Sequence, residues 1–220
     1  MGRDFCSPVG NIQRWRYLAY RVDGRFIGTD NASVFSWRYT DRVGGSDDLF
    51  GLYAPDSDFW ADPAVQLLPK AWKKDRNNQE KMCSNVYEFT KETLEQFKDA
   101  GADIGMVQVG NEISQGMMGI MHRTKANVWQ EEEKSVLIDS YLNAGARAVR
   151  ECVPDALVAI HLDTLNLSIY KDAMNAWERD KVDYDVLGSS SYAFWAGKNM
   201  LGNVRKAGNY VASRGKLFAV

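Results

Sequence analysis

The run Met106-Val-Gln-Val-Gly-Asn-Glu112 places an amide and a carboxylate directly after an apolar stretch. A carboxylate where a buried strand runs out into a loop can give or take a proton, and the adjacent Asn111 amide can hold a hydroxyl meanwhile. Pairing of Glu112 with a nearby arginine or lysine is the structural alternative. The other polar groups decide between the two. His161 and Asp163 stand at i and i+2 at the end of a second apolar run, Leu157-Val-Ala-Ile-His-Leu162, and that spacing puts both side chains on one face. Ser191, Tyr192 and Trp195 follow a third run. Upstream, the loop Ser57-Asp-Phe-Trp-Ala-Asp-Pro63 supplies Trp60 and Asp62 and continues to Trp72. Rings at loop positions beside Asp, Pro or Gly are expected to be partly exposed, as platforms for a flat ligand such as a sugar ring.

Other chemistries find less support. There is no Gly-x-Ser-x-Gly elbow for a nucleophilic serine, and the sequence has only two histidines, His122 and His161. A zinc site built on His161 and Asp163 lacks a third ligand at convincing spacing. No metal and no cofactor are therefore expected. The Ser189-Ser-Ser191 run reads as a rim loop.

The elements that must position these groups show in the apolar pattern from residue 56 onward. A helix is expected from Ser84, with Ser84 and Asn85 as candidate caps, a stripe through Val86, Phe89, Thr93, Leu94 and Phe97, and Gly101 closing it. A strand over 106–111 follows. The next helix, 131–151, begins with acidic residues and carries Val136, Leu137, Leu142 and Val149, with Pro154 just beyond. Strand 157–162, helix 168–179 (Tyr170, Ala173, Met174, Trp177), strand 184–189 and helix 199–213 come in turn. Lys216-Leu-Phe-Ala-Val220 starts as a strand. Each strand is apolar along its length, which is the pattern of parallel strands covered by helices. A doubly wound sheet would announce a glycine-rich phosphate loop, and none is present. Polar and aromatic groups gathered at strand ends favour a (β/α)8 barrel, whose sites lie at that rim.

Composition narrows the class. The 220 residues carry a formal charge of −2, which gives no reason to expect nucleic acid or an anionic membrane as partner. Three scattered cysteines, Cys6, Cys83 and Cys152, argue against a disulfide framework. No apolar run is long enough to span a bilayer, and Met-Gly-Arg-Asp-Phe-Cys6 lacks the apolar core of a signal peptide. Seven arginines precede the first lysine, Lys70. Residues 1–56 show short aromatic clusters and no long amphipathic helix, so they form an unassigned segment ahead of a catalytic domain over 57–220.

Four segments together resemble the endo-β-1,4-galactanases of glycoside hydrolase family 53. They are Ser57–Pro63 with Pro69-Lys-Ala-Trp72; Val107-Gln-Val-Gly-Asn-Glu112; Leu142-Asn-Ala-Gly-Ala-Arg-Ala-Val-Arg150; and Val182-Asp-Tyr-Asp-Val-Leu-Gly188 with Tyr192-Ala-Phe-Trp195. The resemblance implies a (β/α)8 barrel, incomplete here, with roughly strands 3–7 recognisable. It also implies retaining hydrolysis of β-1,4-galactosidic linkages in galactan and arabinogalactan by a monomeric enzyme, secreted or at the cell surface. Glu112 matches the family's general acid/base. Asn111 belongs with it, and Trp60, Asp62, Trp72, His161, Asp163, Tyr192 and Trp195 fall on the substrate rim. The nucleophile in such enzymes is a second glutamate just after a segment like Lys216–Val220.

Three departures shape the expectations. No second glutamate follows Val220 in this sequence, residues 1–56 do not show the family's opening strands, and Ser191, Ala193 and Ala196 stand where the family has Tyr, Pro and His. A fragmentary gene product with a misread or replaced 5′ region is expected, poorly soluble and without galactanase activity as it stands. A closed barrel takes ~250 residues and eight strands, and open parallel edges invite aggregation. Two other readings stay in view: a related enzyme acting on a different β-glycan, and a non-catalytic carbohydrate-binding protein using the same Trp and Asp rim.

Overall fold

The structure, a computed structural model, describes residues 27–29, 32–40, 46–52, 66–99, 102–122, 127–192 and 199–220. Nine strands are described: β1 (Ile27–Thr29), β2 (Ala32–Thr40), β3 (Ser46–Leu52), β4 (Ile104–Val109), β5 (Gly116–Met117), β6 (Ile120–Met121), β7 (Leu157–Leu162), β8 (Val186–Ser189) and β9 (Leu217–Ala219). Four α-helices accompany them: α1 (Gln79–Asp99), α2 (Glu132–Cys152), α3 (Leu167–Arg179) and α4 (Met200–Ser213).

One sheet takes seven strands in the order β1-β2-β3-β4-β7-β8-β9, while β5 and β6 form a small hairpin. β1, β2 and β3 pair antiparallel; from β3 onward every pairing is parallel. The parallel strands follow chain order without reversal, so no topological switch point of a doubly wound sheet exists among them. Each parallel connection carries a helix, which is the unit from which a (β/α)8 barrel is built.

α1 and α3 form where the apolar period meets a capping residue, and the helices do not always start where the sequence pattern suggests. α1 starts at Gln79 because the Asn78 side chain accepts the Lys81 N–H (3.0 Å) and its carbonyl accepts the Met82 N–H (3.0 Å). Ser84 and Asn85 therefore lie inside the helix. Its buried face runs through Met82, Val86, Thr90, Thr93, Leu94 and Phe97. The buried Thr90 and Thr93 hydroxyls donate back to the Val86 and Phe89 carbonyls (2.8 and 2.7 Å), so neither is left unpaired. Gly101, the expected closing glycine, lies outside the described residues.

On α2 the buried stripe passes through Ile138, Tyr141, Leu142, Ala146 and Val149. Val136 is exposed, contrary to expectation, because two residues along a helix of 3.6 residues per turn is nearly the opposite face. α3 buries Tyr170, Ala173, Met174 and Trp177 as expected, with the Asn166 side chain capping it by accepting the Ser168 N–H (3.0 Å). Trp129 and Tyr184 meet the Trp177 ring edge-on, with centroids 5.3 and 5.2 Å away. The main core lies between these helices and β4, β7 and β8.

At the N-terminal ends of the strands, Arg150 ties the layers together. Its guanidinium donates to both Asp183 carboxylate oxygens (3.0 and 2.8 Å) and lies 2.9 Å from Asp185 Oδ2. That same Asp185 oxygen accepts the Val158 N–H of β7 (2.8 Å).

Candidate active site

The opposite, C-terminal ends of β4, β7 and β8 bring the polar groups together. β4 ends at Val109, and the backbone turns sharply through Gly110 (φ +79°) and Glu112 (φ +50°). A positive φ is uncommon for a residue with a side chain and needs support from its surroundings. Gln66 provides it: its Nε2 donates to the carbonyls of Asn111 and Glu112 (3.2 and 3.3 Å). From inside the turn Gln108 Nε2 donates to the Gly110 carbonyl (2.9 Å) and to Asn111 Oδ1 (3.3 Å). Glu112 is consequently buried, only 8% exposed.

Register places its neighbours. Gln108 pairs with Ala159, and His161 pairs with Gly188, so the strand end bearing His161 stands beside the Asn111–Glu112 turn. His161 Nδ1 lies 2.9 Å from Asn111 Oδ1 and 3.3 Å from the Glu112 backbone nitrogen. Ser190 follows β8 directly and is held to β7 by its N–H, which donates to the Leu162 carbonyl (3.0 Å). Its Oγ lies 2.5 Å from Glu112 Oε1 and 3.1 Å from His161 Nε2. Burial pushes the His161 imidazole down to about 4, so the ring is neutral near neutral pH. Glu112, Asn111, His161 and Ser190 thus form one hydrogen-bonded cluster drawn from three strand ends.

The remaining expected site residues fall in different places. Asp163 lies in the bend after β7, where its N–H donates to Ser114 Oγ (3.2 Å) and its charge acts on Tyr170. Tyr192, two residues past Ser190, is 60% exposed. Trp72 sits in a short 3-10 turn and packs edge-on against Phe89 of α1 (6.0 Å) and the cluster of Met82, Val86, Tyr141 and Ala144, within the helix layer. Trp60, Asp62 and Trp195 lie outside the described residues. Two members of the arrangement were not singled out from sequence as site residues. Ser190 was hidden in a triple-serine run, though a small hydroxyl just past a strand end is itself a cue. Gln66 sits 46 residues before the glutamate it supports, and nothing local marks it.

A buried carboxylate at the C-terminal rim of parallel, helix-covered strands, in contact with an amide, an imidazole and a hydroxyl, defines a (β/α)8-type site suited to proton transfer. The profile described as Glycosyl hydrolase family 53 matches residues 55–215, and the chain belongs to that family. It is 41% identical over 142 residues to the endo-beta-1,4-galactanase of Bacillus subtilis, covering 64% of this chain and 30% of that protein. The arabinogalactan endo-beta-1,4-galactanase of Humicola insolens is 32% identical over 173 residues, covering 74% and 48%. Among solved structures, the Ignisphaera aggregans GH53 catalytic domain superposes with a TM-score of 0.61 at 26% identity, over 74% of this chain and 42% of that one. The chain thus spans about a third to a half of the length of these curated relatives. The resemblance read from sequence is confirmed at the level of family, and the parallel strands described above are part of its (β/α)8 barrel.

Proposed function

We propose that this chain serves the endo-hydrolysis of β-1,4-galactosidic linkages in galactan and arabinogalactan by a retaining mechanism, with Glu112 as general acid/base. The observation that carries the reading is the buried Glu112 carboxyl at the end of β4, in contact with Ser190 and flanked by Asn111 and His161. In such a mechanism one carboxyl protonates the leaving oxygen while a second attacks the anomeric carbon; the first then takes a proton from the incoming water. The two stand about 5 Å apart. Asn111 is proposed to bind a substrate hydroxyl beside the scissile bond. His161, Asp163, Tyr192, Trp60, Asp62 and Trp195 are proposed to shape the substrate rim, whereas Trp72, expected there, packs between the helices instead. The polymer is extracellular in this reading, and the enzyme works there as a monomer. No described helix is long and apolar enough to cross a membrane.

The sequence holds no glutamate beyond Glu178. We propose that the nucleophile is a carboxylate supplied just after β9, whose pairing with β8 carries the backbone toward the same rim. The test uses the chain extended by the segment that follows the matching region in the Bacillus subtilis relative, assayed for reducing ends from β-1,4-galactan, mannan and xylan. Galactan alone is expected to be cut, with Glu112→Gln at least about a hundredfold slower. Equal rates on all three glycans, or an unimpaired Glu112→Gln, would sink the reading. Galactan affinity without turnover in the extended protein would favour a non-catalytic binding role.

A further inference from the structure

The first lysine of the chain opens a basic stretch that the Glu112 site does not use. Between residues 70 and 81 stand Lys70, Lys73, Lys74, Arg76 and Lys81 against two carboxylates, Asp75 and Glu80, in a protein whose formal charge is −2. All five cations are exposed. Lys70–Asp75 form the short 3-10 helix, and a turn in which the Asn78 N–H donates to the Asp75 carbonyl (2.8 Å) leads into α1. Lys81, Ser84 and Asn85 stand at i, i+3 and i+4, so one face of α1 carries all three. Together with Lys74 and Asp75 they line an open cleft of about 420 Å³, within the size range of sites that hold a small ligand. Its walls are tied to one another: Asn85 Nδ2 donates to Asp75 Oδ2 (3.2 Å), and Lys81 Nζ lies 4.0 Å from Asp75 Oδ1. That ion pair is loose, since the Lys81 side chain is 66% exposed. Lys74 makes no ion pair among the described residues.

The cleft lies at the same end of the sheet as Glu112. α1 returns the chain to the N-terminal end of β4, so its first turns stand at the rim where the strands end. Gln66, which donates to the Glu112 carbonyl, is eight residues before Lys74. With the last four of those steps in the 3-10 helix, the two Cα atoms are at most about 22 Å apart. One polymer can therefore touch both places. We propose that the cleft binds a uronate, so that the enzyme engages galactan borne on an acidic polysaccharide; the inference rests on the reading of this chain as a galactan hydrolase. A uronate brings one carboxylate for the Lys74 and Lys81 ammonium groups, and hydroxyls for Ser84 Oγ, the Asn85 amide and Asp75. Asp75 sets the class of anion: its carboxylate accepts from a hydroxyl but repels a ligand that is charged on every side, such as a sulfated sugar. Two flexible lysines suit a single carboxylate as point charges. Contact this far from the scissile bond is made alike in ground and transition states, so it lowers KM and leaves kcat alone.

The test reads binding to the 220-residue chain by calorimetric titration, with a galacturonate oligosaccharide, a neutral β-1,4-galactose oligosaccharide and a sulfated galactose oligosaccharide of equal length. The parent is expected to bind the galacturonate and to hold the sulfated sugar less tightly. Lys74→Gln with Lys81→Gln should weaken the galacturonate about tenfold, each exposed charge contact contributing a few-fold, and leave the neutral sugar unchanged. Lys74→Arg with Lys81→Arg, which keeps both charges, should retain most of the affinity. Raising salt from about 0.1 M to about 1 M shortens the screening length from about 10 to about 3 Å and should weaken the parent far more than the Gln variant. No galacturonate binding by the parent, equal binding by the Gln variant, or a sulfated sugar held as tightly each overturns the proposal. In the extended protein the Gln pair should raise KM about tenfold for uronate-bearing galactan, at unchanged kcat and with neutral galactan unaffected. Binding is read without turnover, so failed galactan cleavage leaves it standing, while cleavage without galacturonate binding sinks this proposal alone.

Discussion

Replacing Asp139 by asparagine should stabilise the protein, and by an amount that grows with pH. Asp139 lies on α2 with no exposed surface. Burial is the main cause that pushes its carboxyl from 3.8 up to about 9, and the nearby Asp180 carboxylate adds to it. Asp180 is itself held ionised by Arg179, whose Nε and Nη2 donate to its two oxygens (2.8 and 2.5 Å) and whose Nη2 also reaches Ser135 Oγ (2.8 Å). Asp139 therefore keeps its proton in the folded state near neutral pH, while the unfolded chain loses it above about 4. The folded value is raised above the unfolded one. The contribution of this group is fully present at pH below the unfolded value and declines as pH rises toward about 9. Each pH unit in that window costs up to about 1.4 kcal/mol.

Asparagine has the same shape, bears no titrating proton, and offers an N–H donor where the protonated acid offers its O–H. Urea unfolding of both proteins at pH 5, 6 and 7 should show the advantage of Asp139→Asn growing by up to about 2.7 kcal/mol between the ends of that series. A difference that stays constant across the three pH values would refute the reasoning, because it would mean that Asp139 titrates alike in the folded and unfolded chains.

Two further substitutions probe how the layers are held. A Cβ added at Gly145 would stand 2.6 Å from Val109 Cγ1, so Gly145→Ala should cost about 1–3 kcal/mol in crowding, less about 1 kcal/mol gained in helix propensity. Val109→Ala in the same chain should remove the crowding term, as a double-mutant cycle in urea would record. Arg150→Met should cost about 1–2 kcal/mol at neutral pH, the exposed share of its ion pairs being discounted. Arg150 holds the Asp183 carboxyl below its ordinary range, so this stabilisation is present above the unfolded carboxylate value and is lost as pH falls through the folded one. Equal stability of Arg150→Met and the parent at neutral pH would remove the clamp from the account.

Much of the parallel portion was legible because apolar runs and turn residues coincide. β7 matches its expected bounds, since Pro154 and Asp155 stop α2 and the apolar run starts two residues later. α3 was legible because its four core residues keep helical spacing and Asn166 caps it. The start of α1 was missed because its first turn, Gln79-Glu80-Lys81, is wholly polar; the signal lay in Asn78, ahead of any periodicity. Of the site, Glu112, Asn111 and His161 were visible as polar groups ending apolar runs. Ser190 and Gln66 were not visible, because what selects them is register and a long-range contact. Asp139 could have been noticed: an acid inside Leu137-Ile-Asp-Ser-Tyr-Leu142 sits on the stripe that must be buried.

Register also links the two ends of the sheet. His161 reaches Asn111 only because Gln108 pairs with Ala159, and a slip of one residue would turn His161 to the other face of β7. What opposes it stands at the far end, where the Val158 N–H is held by Asp185 and Asp185 by Arg150. On β4 the counterpart is Val109, lodged against a bare Gly145 that admits no larger side chain without displacement. The residues that fix β4 and β7 against their helices therefore do chemical service at a distance. They help to hold Ser190, His161 and Glu112, which come from three separate strand ends, within hydrogen-bond range.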